Sequence, residues 1–329
     1  MHQVRWGALS TASIGMKQVI PAMQKAAHVQ VTAIASRNEN GARDAACTLG
    51  LEKFYGSYEA LLADPDIDAV YIPLPNHLHL PWSLKALEAG KHVLCEKPIG
   101  LSSQEAETLL AASQGYPSLK IMEAFMYRHH PQWVRARELI ETGEIGSLTS
   151  IQVYFSYFNN DPNNIRNRTD VGGGAMMDIG CYCTSLSRWL FQAEPDRVFG
   201  FVDRDPAFGT DRLFSGMMDF DGCIASFTCS TQLEWHQRVI LCGEAGSIEL
   251  MIPFNSPIDR PTVLVHRQGK QARTIEFEVC DQYAIQGELM SLAILNDTPV
   301  PTPLTDAVGN MRVMETLLRA AETQTWTKC

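Results

Sequence analysis

Asp178 and Tyr182 have the types and spacing of residues that could act together in catalysis. They lie in the run Gly172-Gly-Gly-Ala-Met-Met-Asp178-Ile-Gly-Cys-Tyr182, and a helix would place residues four apart on one face. A carboxylate and a phenol at this spacing can also be ordinary surface residues of a helix that have no role in catalysis. Together with Lys97, however, they provide the two groups that reversible hydride transfer needs. The Tyr182 phenol can accept the proton of a substrate hydroxyl, and the Lys97 ammonium can lower the pKa of the phenol from about 10.

Lys97 lies in Glu96-Lys97-Pro98, directly after the apolar segment 92–95, which follows Gly90 and predicts a short buried strand. Proline has no N–H and restricts the preceding residue to an extended backbone, so Lys97 is fixed at the carboxyl end of that strand. In open α/β sheets, ligands bind at this edge. The alternative is that Glu96 and Lys97 form an ordinary surface ion pair.

The two halves of the chain predict different elements. Strands at 4–9, 29–35, 69–72, 92–95 and 121–125 alternate with helices, as in a doubly wound parallel sheet. After Gly146, short strand-like segments separated by turn residues predict a large, mainly antiparallel open sheet with an inserted helix at 176–191. We therefore expect a Rossmann-type dinucleotide-binding domain at 1–125 and a substrate-binding and oligomerisation α+β domain at 126–329. The last helix, at 306–323, is expected to pack back on the first domain.

Length, charge and cysteine content limit the class of protein. A chain of 329 residues exceeds what one core usually holds, which suggests two domains. A net charge of −10 argues against a nucleic-acid or anionic-membrane partner. Nine cysteines without a C-x-x-C pattern indicate neither a disulfide framework nor a zinc cage. No secretory signal and no apolar run of about 18 residues is visible, so we expect a cytoplasmic protein with reduced thiols.

The first predicted strand is followed by Ser10-Thr-Ala-Ser-Ile-Gly15, where a dinucleotide fold would place G-x-G-x-x-G. Ser10 and Ala12 replace two of the three glycines. A small residue at 12 still lets backbone amides approach a pyrophosphate, Gly15 allows close helix–strand contact, and the helix N-terminus attracts the anion. A plain strand–turn–helix is the alternative.

The end of the second predicted strand reads Ser36-Arg37-Asn38, where NAD-binding proteins place an acidic residue. A hydroxyl and a guanidinium accommodate a 2′-phosphate instead, which favours NADP over NAD. The rigid loop 73–79 could reach the nicotinamide ribose. Its histidines can also be capping or packed residues, and no third ligand at metal spacing accompanies them, so no metal is assigned. The expected cofactor contacts are Ser10, Thr11, Ala12, Ser13, Ile14, Ser36, Arg37, Pro73, Leu74, Asn76, His79, Glu96 and Lys97.

Glu96-Lys97-Pro98, the degenerate glycine turn and Gly174-x-x-x-Asp178-x-x-x-Tyr182 together resemble the glucose–fructose oxidoreductase/inositol dehydrogenase/rhizopine catabolism family, written Gfo/Idh/MocA. The resemblance covers essentially the whole chain, including 303–311. Within the family, the segments 123–131 (Glu-Ala-Phe-Met-Tyr-Arg-His-His-Pro) and 161–166 (Asp-Pro-Asn-Asn-Ile-Arg) are similar to the NADP-dependent D-xylose dehydrogenase and dimeric dihydrodiol dehydrogenase branch. Ser10, in place of the usual first glycine, departs from the family pattern.

The resemblance implies an NADP-dependent oxidoreductase of a pyranose sugar or cyclic polyol, of the D-xylose 1-dehydrogenase type. Tyr182 would take the proton from the reacting hydroxyl, Lys97 would lower the phenol pKa and contact substrate and ribose, and Asp178 would orient substrate or lysine. The expected hydroxyl-binding residues are Arg128, Asn164 and Arg166, with Phe125, Tyr127, Phe158 and Trp235 as apolar walls. Arg166 could equally be a structural surface residue.

Other functions stay open as alternatives to this one. Within enzymes, the alternatives are a trans-dihydrodiol dehydrogenase, an anhydrofructose or carbonyl reductase, and a sugar oxidoreductase that retains its NADP between half-reactions. The non-enzymatic alternative is an NADP- or sugar-sensing regulator, which the joint presence of Lys97, Asp178 and Tyr182 disfavours. Because the second half offers few helices to cover the outer face of its sheet, we also expect a homodimer or a dimer of dimers.

Overall fold

The structure is a computed structural model that describes residues 2–329. The chain folds into two compact units. The first contains the residues up to Met126 together with Asp281–Val308, and the second contains Tyr127–Cys280 and Gly309–Cys329. The first division falls next to the expected boundary at 125/126, but the first unit also takes a segment from near the end of the chain.

The first unit is built on a six-stranded sheet in which all neighbours are parallel. The strands are β1 Val4–Leu9, β2 Val29–Ala35, β3 Lys53–Tyr55, β4 Ala69–Ile72, β5 His92–Cys95 and β6 Ile121–Glu123, in the order β3-β2-β1-β4-β5-β6. This is the strand order of doubly wound dinucleotide-binding folds, in which ligands bind outside the carboxyl ends of the strands. The short strand β3 was not predicted from the sequence.

The helices of the first unit follow the strands, as right-handed crossovers between parallel strands require. A π-helical turn at Gly15–Val19 leads into α1 Ile20–Met23, and the later helices are α2 Glu39–Leu49, α3 Tyr58–Leu62, α4 His79–Glu88 and α5 Ser103–Ser113. The amino ends of α2, α3 and α5 are capped by Asn38, Ser57 and Ser102, whose side chains accept backbone N–H groups.

The second unit contains a nine-stranded sheet. Its strands are β7 Leu148–Phe158, β8 Arg197–Arg204, β9 Asp211–Phe220, β10 Cys223–Ser230, β11 Gln232–Gly243, β12 Gly246–Leu250, β13 Thr262–Gln268, β14 Gln271–Phe277 and β15 Thr327–Lys328. The order is β14-β13-β12-β11-β7-β10-β9-β8-β15, antiparallel except between β7 and β10. The helices are α6 Pro131–Glu141 and α7 Cys181–Phe191, the latter preceded by a π-helical turn at Met176–Gly180. The predicted fold class is confirmed.

Alternation along the strands gives this sheet one buried and one open face. On β7, Ile151 and Val153 are buried, whereas Gln152 is exposed and Tyr154 half-buried. The open face carries a groove of about 550 Å³. Its lining includes Tyr154, Phe199, Phe201, Met217, Arg238 and Ile240.

The last two helices are divided between the two units. Helix α8, Gln282–Leu295, belongs to the first unit, where it packs on α1 and β1 and its Ser291 hydroxyl accepts from the Trp6 indole N–H at 3.0 Å. Helix α9, Leu304–Thr323, begins in the first unit, but from Gly309 onward it belongs to the second. There its Leu317 lies against Gly200 and Gly216 of the sheet, where a Cβ would meet atoms of α9 at 2.9 and 3.1 Å. An amphipathic pattern predicts that a helix packs, but not on which surface.

No helix within residues 2–329 is long and apolar enough to cross a membrane.

Candidate active site

The turn after β1 takes the conformation of a glycine turn although a serine begins it. Ser10 has φ +134°, a region that L-residues rarely adopt. Its hydroxyl accepts the Ala12 amide at 2.9 Å, a local bond that helps to hold the unusual backbone. A Cβ at Gly15 would lie 3.5 Å from the Tyr71 and Pro73 side chains, which is ordinary contact. The close helix–strand approach expected at Gly15 therefore does not require a glycine.

A cluster of polar side chains forms where β1, β2 and β3 end side by side. The Arg37 guanidinium and the Ser10 hydroxyl both lie beside the Tyr58 hydroxyl. Burial raises the pKa of the Tyr58 phenol, and the two donors oppose that rise. Arg37 itself is exposed. Tyr58 was not among the predicted site residues. It reaches this edge of the sheet because it follows β3, and that strand is only three residues long.

The next strand ends are tied together from inside by His79. Its Nδ1 lies 2.6 Å from the Pro98 carbonyl oxygen and its Nε2 lies 2.7 Å from the Leu74 carbonyl oxygen. The side chain is fully buried, and burial lowers the pKa of the imidazole to about 4. The fully buried ring supports the loops at Leu74 and Pro98, and the expected contact between His79 and the cofactor stays a prediction.

Lys97 occupies the carboxyl end of β5, next to a buried hydrogen bond. The fully buried Tyr71 phenol donates to Glu96 Oε1 at 2.6 Å. Burial and the neighbouring Glu96 carboxylate raise the pKa of Tyr71 well above its usual value. On the other side of Lys97, the Ile99 amide donates to Glu123 Oε1 at 2.8 Å. Both flanks of Lys97 are therefore held by side chains from neighbouring strands, which keeps the backbone at Lys97 in place.

In the second unit, Asp178 lies at the centre of a charged network. Arg166 Nε donates to Asp178 Oδ2 at 2.8 Å, and the Tyr157 phenol donates to the same oxygen. Burial and the Asp178 carboxylate raise the pKa of Tyr157 far above its usual value, and Asp178 also raises the pKa of Arg166. Asn164 fixes the loop, since its side-chain oxygen accepts the Arg166 amide at 3.1 Å. Tyr157 was not among the predicted site residues.

Tyr182 follows Asp178 on the same helical segment and is nearly buried. Its ring packs among Tyr127, Phe155 and Phe254, with ring centroids 5.7, 5.7 and 5.3 Å away. Aromatic contacts on several sides fix the ring plane and so the direction of the phenol oxygen. Of the residues expected as apolar walls, Phe125 and Tyr127 are core residues, whereas Phe158 and Trp235 are exposed.

Arg128 is placed differently from Arg166. It is buried, and its terminal nitrogen donates to Ser185 Oγ at 2.7 Å and to the Ser185 carbonyl oxygen at 3.2 Å. Its guanidinium also lies 5.6 Å from the centre of the Trp189 ring. These contacts fasten the start of the second unit to α7, one turn beyond Tyr182. They give Arg128 a supporting position, and its expected contact with substrate hydroxyls stays a prediction.

The fold and these residues are those of a two-unit oxidoreductase whose first unit carries a dinucleotide-binding sheet. Residues 7–119 match the family described as an oxidoreductase family with an NAD-binding Rossmann fold, and residues 133–249 match the GFO/IDH/MocA C-terminal domain. The chain belongs to the Gfo/Idh/MocA family of oxidoreductases, which confirms the resemblance seen in the sequence.

Similar proteins extend this finding over the full length. An uncharacterized oxidoreductase, ORF334 of Rhizobium meliloti, is 43% identical, with 99% of each chain covered. D-xylose 1-dehydrogenase (NADP(+)) 2 of Haloferax volcanii is 37% identical, with 97% of each covered. Among solved structures, the 3-ketoreductase KijD10 from Actinomadura kijaniata, in complex with NADP and TDP-benzene, is 28% identical with a TM-score of 0.91, covering 97% of this chain and 98% of that one.

Proposed function

We propose that this protein is an NADP-dependent oxidoreductase that acts on a pyranose sugar or cyclic polyol, and that it is an aldose 1-dehydrogenase of the D-xylose type. The observation that carries the proposal is the joint presence of Lys97 at a strand end and of Asp178 and Tyr182 on one helical segment. The 37% identity to a D-xylose dehydrogenase over nearly the whole chain supports the substrate class.

The residues at the first unit's strand ends suit NADP. A 2′-phosphate needs a cation and hydroxyl donors, and Arg37, Tyr58 and Ser10 form such a cluster with the guanidinium exposed. The amides of the Ser10–Ile14 turn, at the start of a helical segment, suit the pyrophosphate. Lys97, Glu96 and the loop Pro73–Asn76 are assigned to the nicotinamide end. When bound, the nicotinamide exchanges hydride with the substrate carbon.

The protein's own part in the reaction is proton transfer and orientation. We assign to Tyr182 the removal of the proton from the substrate hydroxyl, because its phenol oxygen is held in one direction by aromatic packing. Lys97 is assigned the role of the cation that lowers the pKa of that phenol. Asp178 orients the substrate, and its own carboxylate is held by Tyr157 and Arg166.

The charges around Asp178 favour a neutral, hydroxyl-rich substrate. Arg166 and Asp178 offset each other, so this part of the site carries hydrogen-bonding groups without a large net charge. The Arg166 guanidinium also has five N–H donors, of which Nε–H is used by Asp178. The remaining nitrogens suit the hydroxyl oxygens of a sugar, and Asn164 holds the loop that carries them.

The test of the reaction is a substrate panel with the purified protein and NADP, followed at the NADPH absorbance band. D-xylose, other aldoses and a trans-dihydrodiol are compared as alcohols, and carbonyl substrates are tested with NADPH. We expect oxidation of D-xylose or a close relative. Turnover of the diol alone, or of carbonyls alone, would reassign the substrate to the corresponding alternative. Stoichiometric binding of NADP without turnover of any compound would indicate a regulator.

The test of cofactor choice is Arg37→Ala. Loss of a charge-assisted bond worth about 1.5–3 kcal/mol should weaken NADP binding by about 10- to 150-fold and leave NAD binding nearly unchanged. Arg43→Ala is the matched control, because Arg43 is an exposed arginine on α2 that pairs with Glu39. Dissociation constants are measured by fluorescence titration. An unchanged NADP-to-NAD affinity ratio in Arg37→Ala would remove Arg37 as the discriminating residue.

We also propose that two copies associate through the open face of the second sheet. Phe201 on β8 is 53% exposed and Met217 on β9 is 40% exposed, and both line the groove on that face. Soluble monomers rarely expose such contiguous apolar surface, and a two-fold dimer is the commonest way to cover it.

A further inference from the structure

Asp211 is a buried carboxylate at the first position of β9, outside every residue set assigned above. The residue is only 5% exposed, and its Oδ2 accepts the Met176 amide at 2.6 Å. This amide stands at the beginning of the helical segment that carries Asp178 and Tyr182, where the helix has no backbone acceptor to offer it. Asp211 therefore supplies the missing acceptor from the sheet.

The glycine run before this helical segment fits against Asp211. Gly174 has φ +112°, and a Cβ there would stand 1.9 Å from Asp211 Oδ1. A Cβ at Gly173 would stand 2.5–2.7 Å from the carbonyl oxygens of the loop that holds Arg166. Both positions therefore require glycine, and the close approach that they permit is to the protein's own atoms.

The same turn is bonded to the Arg166 loop. The Gly174 amide donates to the Arg166 carbonyl at 2.8 Å, and the Gly173 amide donates to the Arg168 carbonyl at 2.9 Å. On the helical side, the Asp178 amide donates to the Gly174 carbonyl at 3.0 Å. The turn thus links the two partners of the Arg166–Asp178 ion pair through the backbone, and Asp211 holds its helical end at the Met176 amide.

The charge of Asp211 is consistent with this placement. Burial raises the pKa of the carboxyl to about 6, while the Met176 amide and Arg204 of β8 oppose the rise. The carboxylate is thus ionised at neutral pH although it is almost excluded from water. Burying an ionised group costs free energy, which the hydrogen bond from the Met176 amide and the positive amino end of the helix offset in part. A carboxylate kept at such a place argues for a specific task, which here is to accept the Met176 amide.

We propose that Asp211 is a positioning residue for the reaction, which fixes the glycine turn and thereby the placement of Asp178 and Tyr182 relative to the Arg166 loop. The proposal rests on the proposed function, because that function assigns the chemistry to Asp178 and Tyr182. Asp211 itself does not touch the substrate. It acts through the backbone of residues 174–176.

The test compares Asp211→Ala with Asp211→Asn. The alanine variant loses the acceptor for the Met176 amide, whereas the asparagine variant keeps an oxygen at that place. Displacements of about 1 Å in a site can lower turnover by about 100-fold, so we expect kcat of Asp211→Ala to fall by about 10- to 100-fold. Asp211→Asn should recover most of that loss. The dissociation constant for NADP should be unchanged in both, since the cofactor residues lie in the other unit.

Asp203→Asn is the matched control, because Asp203 is a half-exposed carboxylate on neighbouring β8 that pairs with Arg212. It should retain wild-type kcat. Hydrogen exchange of the segment 174–182 provides a readout that needs no substrate, and it should quicken in Asp211→Ala relative to Asp211→Asn and to the control. Wild-type kcat and wild-type exchange in Asp211→Ala would overturn the proposal.

Tyr182→Phe, measured in parallel, separates this proposal from the proposed function. If Tyr182→Phe loses turnover while Asp211→Ala keeps it, the positioning role fails and the proposed function stands. If Tyr182→Phe keeps full turnover, the assignment of the chemistry to Tyr182 fails, and with it the positioning role proposed for Asp211. A loss of kcat that Asp211→Asn does not recover, with unchanged exchange in both variants, would also overturn the positioning role.

Discussion

The ion pair between Arg166 and Asp178 permits a test of the second unit that does not depend on the identity of the substrate. Arg166 Nε lies 2.8 Å from Asp178 Oδ2, and the two side chains are 40% and 13% exposed. Exposed ion pairs contribute about 0.2–1 kcal/mol, whereas removing one partner of a buried pair costs about 3–5 kcal/mol. Because Arg166 is partly exposed and Asp178 is mostly buried, we expect a coupling energy between these two ranges, about 1–2 kcal/mol.

The perturbation is a double-mutant cycle of Arg166→Met and Asp178→Asn. Each single variant should lower the free energy of unfolding, and the double variant should lose less than the sum of the two by the coupling energy. Tyr157→Phe, which removes the second donor to Asp178, should cost about 1.5–3 kcal/mol because the acceptor is charged. The free energies are measured by urea unfolding, followed by tryptophan fluorescence and by circular dichroism.

The control is the same cycle on Arg168 and Asp170. This pair lies on the same loop, with Arg168 Nε 3.1 Å from Asp170 Oδ1, but its side chains are 50% and 63% exposed. Its coupling should stay below about 0.5–1 kcal/mol. A coupling at Arg166–Asp178 no larger than that of the control would refute the reasoning, because the pair would then behave as solvated surface charges.

The remaining predictions concern catalysis, pH and assembly. Lys97→Met should abolish turnover while NADP still binds in a fluorescence titration, and wild-type-like turnover would contradict the role of Lys97. Tyr182→Phe should lower kcat by about 10²–10⁴-fold with little change in KM for the sugar, and an unchanged kcat and pH profile would transfer the proton acceptance to Lys97. The pKa of Asp211 is raised in the folded protein from 3.8 to about 6, so its contribution to stability is complete below about pH 4 and is lost as the pH rises through 6. Asp211→Asn should therefore gain up to about 3 kcal/mol of unfolding free energy relative to wild type between pH 4 and 7.5, and a constant difference in urea unfolding would count against the buried charge. In light scattering at micromolar concentration, the wild type should have at least the mass of a dimer, and the Phe201→Glu variant should have a lower mass. A monomeric wild type would exclude the interface.

Much of the architecture could be read from the sequence, because it depends on consecutive residues. The apolar runs at 4–9, 29–35, 69–72 and 92–95 became β1, β2, β4 and β5 with the predicted bounds. Pro98 fixes Lys97 at a strand end through local backbone sterics. Asp178 and Tyr182 share one helical segment because they are four residues apart. Ser36-Arg37 follows a strand whose carboxyl end must lie at the edge where β1 also ends.

The tertiary structure decided which distant residues meet at these places. Tyr58 reaches Arg37 and Ser10 only because the three-residue strand β3 pairs with β2, and three residues carry almost no periodic signal. Tyr157 meets Asp178, and Asp211 meets Met176, across 21 and 35 residues. Those contacts depend on how β7 and β9 are placed in the sheet, and a shift of one residue would turn each side chain to the other face. Hydrophobic periodicity records that a strand or helix has a buried side, but it does not record the partner that covers it. For that reason α9 could be predicted as a helix, while the places of α8 and α9 in the two units followed only from packing.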